Sequence, residues 1–71
     1  GQGMKGFVIQ IAREDGGASR HYLLAADEPE ALASAAVLLC IAQDRVRVLR
    51  EMAQWEVDVF VPFPNEIYAA P

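Results

Sequence analysis

The sequence predicts an α+β fold of two layers, β-β-α-β-β, in which a four-stranded sheet carries one helix packed on one face. Three observations predict it. Phe7, Ile9 and Ile11 alternate with Val8, Gln10 and Ala12 and run into Asp15, Gly16 and Gly17; a capped Ala- and Leu-rich stretch opens at Asp27; a second alternation opens at Arg45.

The first alternation has the period of a strand with one strongly apolar face, and it places the first strand at about residues 6–13. Asp-Gly and Gly-Gly pairs supply the positive φ that two-residue hairpin turns require, so a second strand runs back from about Ser19. With either pair at the turn, Tyr22 and Leu24 share the face of Ile9 and Ile11. Val8, Gln10, His21 and Leu23 take the opposite face.

Asp27 as N-cap, Pro29 in the first turn and Glu30 completing a capping box start a helix, and the acidic residues suit the positive end of its dipole. The good helix formers after Glu30 carry it over 28–43. Leu32, Ala35, Ala36, Leu38, Leu39 and Ala42 fill the arc that faces the sheet, while Glu30, Ser34, Val37, Ile41 and Asp44 form the opposite stripe.

From Arg45 on, cross-strand pairing favours a hairpin with a loop at Glu51–Gln54. Arg50 then faces Trp55, Val48 faces Val57 and Val46 faces Val59 on one side, with Arg47 opposite Asp58 and Leu49 opposite Glu56 on the other. A competing reading puts a second helix over 44–54 ahead of a single last strand. Pro62, Pro64 and Pro71 oppose central-strand pairing, so 64–71 reads as a Pro-containing C-terminal tail after a single domain at 4–63. Gly1, Gln2 and Gly3, ahead of Met4, read as a cloning remnant.

The chain has 71 residues, 54% of them hydrophobic, and a net charge of −4. That apolar content excludes intrinsic disorder. A single domain this short buries a small core, so the apolar excess asks for a second surface to cover it. In the expected registers Val8, Leu23, Leu49 and Phe60 point away from the helix, and Val37 and Ile41 lie on its outer stripe. These six are the candidate interface residues, and contiguous exposed apolar surface of this kind marks contact sites. A homodimer is the expected state, by outer sheet faces or sheet edges; the alternative is that Ile67 and Tyr68 fold back over one patch.

The candidate chemistries are sparse. One cysteine, Cys40, supplies neither an intrachain disulfide nor a cysteine zinc site, which suits a reducing, cytoplasmic setting; among Leu38, Leu39 and Ile41 it reads as an inert core residue. The longest apolar run, from Ala35 to Ala42, is far too short to span a bilayer, and no secretory signal is visible. His21 has no acid or base partner at a recognisable spacing and reads as a surface histidine. Asp15, Gly16 and Gly17 lack the following helix and Lys-Ser or Lys-Thr pair of a phosphate loop. Glu56 and Asp58 could share a cation, but Arg47 offers Asp58 a simpler partner.

Arg45 and Arg47, with Arg50, Arg13 and Arg20 nearby in sequence or on the first hairpin, are the only basic concentration. The expected function is therefore a cytoplasmic, non-enzymatic, self-associating interaction module with no cofactor and no catalytic or metal-binding residues. One alternative is weak nucleic-acid binding through Arg45 and Arg47 on the sheet, against which the acidic balance stands. Another is a ligand binder or enzyme with its site at an oligomer cleft near His21, Tyr22 and Trp55, because so short a monomer has little room for a pocket of ~300 Å³.

Overall fold

β1 (Lys5–Ala12) and β2 (Ala18–Ala25) form the hairpin that the alternation predicts, in a different register. The turn closes as a three-residue loop: Arg13 N–H donates to the Gly17 carbonyl at 2.9 Å and Gly16 N–H to the Arg13 carbonyl at 3.2 Å. Gly16 takes φ +91, the left-handed residue that follows a type I turn in such loops. One extra loop residue moves every side chain of β2 to the other face. Ile9 therefore pairs with His21, and Phe7 with Leu23, while Val8 pairs with Tyr22. The expected pairing of Tyr22 and Leu24 with Ile9 and Ile11 is corrected accordingly. The computed structural model in which these features are seen describes residues 3–61 and 63–71. Gly1 and Gln2 of the expected cloning remnant, and Pro62, lie outside the described residues.

α1 (Glu28–Leu39) starts as its cap dictates: the Asp27 carboxylate accepts from Glu30 N–H at 2.9 Å, and the Glu30 carboxylate reaches back to Ala26 N–H at 3.1 Å. It ends at Leu39 rather than at 43 because Cys40 turns left-handed, with φ 56. Cys40 N–H then bonds the Val37 carbonyl at 3.3 Å and Ile41 N–H the Ala36 carbonyl at 3.0 Å, the paired bonds of a Schellman motif. The motif turns Ile41 inward onto the core and leaves Cys40 exposed, which corrects the core reading of the thiol. A single 3₁₀ turn over Gln43–Arg45 leads into the next strand.

β3 (Val46–Glu51) is the strand expected from Arg45 onward. The segment after it is not a strand. Residues Gln54–Phe60 form a second helix, α2, so the order is ββαβαβ and the expected hairpin of Val48 with Val57 and Arg47 with Asp58 is absent. Met52, Val57, Phe60 and Val61 meet the sheet together, and on a helix the last three lie on one face. Asp58 accepts from Gln54 Nε2 at 2.9 Å one turn back along α2. β4 (Ile67–Ala69) lies within the expected tail and pairs with β2, so Ile67 and Tyr68 do join the sheet.

The sheet is antiparallel throughout, in the order β3-β1-β2-β4. β2 and β3 both run opposite to β1 and so parallel to each other, and α1 crosses between them. Phe7, Ile9, Ile11 and Leu23 face α1, where Ala31 and Ala35 are small enough to bring the helix close. Val8, Tyr22, Leu24 and Tyr68 face the other way, under α2. The molecule thus has three layers, one helix on each side of the sheet, in place of the two expected.

Candidate functional site

α2 is held by one side chain above all. Glu56 is the only buried charged residue among the described residues, 8% exposed. Its carboxylate receives Arg50 Nη1 and Nη2, both at 2.8 Å, and also Ala53 N–H at 2.8 Å, so it binds β3 and the start of α2 at once. The bidentate guanidinium comes first, and the Ala53 amide second, in pulling its pKa from 4.5 down to about 2. A depressed carboxylate pKa means that the stabilisation is complete above pH 4.5 and is lost as pH falls toward about 2. Glu56→Gln is expected to remove that part of the acid limb. Thermal melts of both proteins across pH 2–6 check it; parallel curves would rule the pair out as a contributor.

With this helix in place, the six candidate interface residues fall into three groups. Val8, 5% exposed, and Leu23, 1% exposed, are buried within the chain, so they are not on an outer surface. Phe60 is half-buried, stacked on Tyr22 with ring centroids 5.0 Å apart, and Ile41 packs on the core beneath α1. Leu49, in a bulge of β3 opposite Val8 and Ile9, and Val37, at 75% exposure, remain at the surface. The expected stripe through Val37 and Ile41 is broken by the helix end at Cys40.

Further large apolar side chains outside those six are exposed. Trp55 is 63%, Val59 65% and Phe63 62% exposed. Trp55 and Val59 are four apart on α2 and so share its outer face. Reading 55–60 as a strand concealed them; the helical spacing of Val57, Phe60 and Val61 was the available signal.

His21 lies on the α1 side with Ser19, whose hydroxyl is 3.1 Å from Nε2, and burial lowers its pKa. Tyr22 points to the α2 side, so the two cannot act on one molecule. A cleft of about 490 Å³ is bounded by Lys5, Gly6, Leu24, Glu51, Met52 and Val57. It corrects the expectation that one chain lacks the room, yet His21, Tyr22 and Trp55 are not in its walls. Its charged groups, Lys5 and Glu51, lie 4.0 Å apart and face each other. Among the described residues no three His, Cys, Asp or Glu side chains converge, and no helix is long and apolar enough to cross a membrane.

The arginines separate as well. Arg13 pairs with Asp15 at 3.1 Å and Arg50 with Glu56. Arg45, one of the two expected nucleic-acid residues, donates Nε and Nη2 to the Ala12 carbonyl at 2.9 and 2.7 Å and so fastens the 3₁₀ turn ahead of β3 to the end of β1. Arg47 is exposed and carries no such bond among the described residues.

Fold and surface together define a small ββαβαβ α+β domain with an exposed aromatic-aliphatic strip on its second helix. Comparison with protein-family models, with curated proteins and with solved structures finds no match.

Proposed function

We propose that the chain is a cytoplasmic, non-enzymatic interaction module that self-associates through the outer face of α2. The observation that carries this reading is the pair of Trp55 and Val59, each more than 60% exposed and one turn apart on the outer face of α2, on a chain whose sheet already carries a helix on each side. A two-fold dimer sets the same patch of each copy against the other, and antiparallel α2 helices would place Trp55 of one copy near Val59 of its partner. Trp in particular contributes strongly at such contacts. The sheet edges are the weaker surfaces: β3 is bulged at Leu49 and carries Arg47, Arg50 and Glu51, and β4 is only three residues long, features that block edge pairing.

Size-exclusion chromatography with light scattering tests the proposal. From micromolar to near-millimolar protein the mass is expected to rise toward twice the 7.8 kDa of one chain, and Val59→Glu is expected to hold it at one. A monomer at every concentration would reject self-association, and a dimer unaffected by Val59→Glu would reject this face.

A further inference from the structure

Six side chains in this protein are cationic, and four are engaged: Lys5 with Glu51, Arg13 with Asp15, Arg45 with the Ala12 carbonyl and Arg50 with Glu56. The remaining two, Arg20 and Arg47, are exposed and have no ionic or hydrogen-bonded partner among the described residues. They lie far apart in sequence but in one row of the sheet, because Gln10 pairs with Arg20 on one side and with Arg47 on the other. Gln10 and Arg47 point to the α2 side, since their chain neighbours Ile9, Ile11, Val46 and Val48 belong to the α1 side, and Arg20, directly paired with Gln10, points the same way. Two strand spacings set the arginine Cα atoms about 10 Å apart.

The row lies beyond the part of the face that packs under α2, which takes Val8, Tyr22 and Leu24. At its outer flank Ala12 pairs with Ala18, both exposed and too small to obstruct, and Arg45 adds a third guanidinium beside Ala12. At its inner flank Tyr22 pairs with Tyr68, both partly exposed. We propose that this row is a binding site for the phosphodiester backbone of a single-stranded nucleic acid. The separation of the two arginines on an open face suits an extended polyanion. Among the described residues, the cleft bounded by Lys5, Glu51 and Met52 and the one bounded by Ser34, Val37 and Asn65 both leave the two arginines outside their walls. Tyr22 is itself stacked under Phe60, so Tyr68, partly exposed, is the ring at this flank that can stack an unpaired base, as aromatic rings on sheet surfaces do. The site differs from one built on Arg45 and Arg47: Arg45 is a flank, and Arg20, from the other side of β1, is the second anchor. The acidic whole makes the affinity modest and confines it to this row.

Fluorescence anisotropy with labelled 15-mer oligo-U and oligo-dT at about 20 mM salt tests the site. Saturable binding is expected in roughly the 10–100 μM range, with a log–log salt slope of about −1.4 for two phosphates on a single strand. Arg20→Ala and Arg47→Ala are each expected to weaken it about tenfold, and Lys5→Ala, equal in charge and remote from the row, by less than about twofold. Far-UV circular dichroism of each variant shows that it is folded. Absence of binding, or equal losses from Lys5→Ala and Arg20→Ala, would overturn the proposal. Displacement of the oligonucleotide by an equal charge of poly-glutamate would replace it with an acidic peptide.

Discussion

Leu23→Ala is expected to cost about 2–5 kcal/mol of unfolding free energy, the range for emptying a fully buried leucine site. Leu23 is 1% exposed and sits between Phe7 of β1 and Ile67 of β4 on the α1 side of the sheet. Small domains have little stability in reserve, so a loss of this size removes much of the total. Leu24→Ala is the control. Leu24 lies next in sequence but on the α2 side, only partly buried, and its truncation is expected to cost clearly less. Urea unfolding followed by circular dichroism gives both values. The pair reports on the register of the first hairpin: a two-residue turn would exchange the two environments, and a larger loss at Leu24 would show that the hairpin closes that way.

That hairpin shows where the sequence is legible and where it is not. Alternation at Phe7 to Ala12 identifies a strand, and Asp15, Gly16 and Gly17 identify the turn, because both signals are local. The face of β2 depends on whether the loop holds two residues or three, and the same Asp-Gly-Gly run accommodates either. The start of α1 is legible for the same local reason, since Asp27 and Glu30 bond the amides that the helix leaves free. Its end is not, because Cys40 adopts a conformation that Gly would announce. α2 is the largest departure. Val57, Asp58 and Val59 alternate as a strand would, and Ala53 at the N-cap has no polar side chain to signal a start. What decides for the helix is Glu56, which meets Arg50 of β3, and Val57, Phe60 and Val61, which meet the uncovered side of the sheet. Tertiary contacts of this kind override a weak local pattern. The surface followed both departures: α2 covers Val8 and turns Trp55 and Val59 outward, while the three-residue hairpin loop takes Leu23 to the α1 side. The basic row was hidden similarly, since only pairing through Gln10 brings Arg20 beside Arg47.

The docking of α2 also depends on Gly6, and Gly6→Ala is expected to destabilise the protein by about 1–3 kcal/mol, the cost of overfilling a packed site. Elsewhere the sign would be the reverse, because alanine in a strand interior is better than glycine by roughly 0.5–1 kcal/mol. Here a Cβ at position 6 would stand 2.5 Å from Val57 Cγ2, 2.9 Å from Met52 Sδ and 3.1 Å from Met52 Cβ. The thioether end can swing aside. The Val57 methyl belongs to a stiff β-branched side chain on α2, and Met52 is tied by its N–H to the Gly6 carbonyl at 2.8 Å. Relief therefore requires α2 to lift from β1. The damage should be confined to that layer, with amide exchange accelerated over residues 54–61 while the α1 side, built on Ile9, Leu23 and Ala35, keeps its protection. If α2 is the proposed self-association surface, the same substitution should weaken the dimer together with the fold, whereas Val59→Glu should weaken the dimer alone. Thermal melts and hydrogen exchange on the two variants separate these effects, and a Gly6→Ala protein more stable than the parent would show that α2 does not rest on this strand.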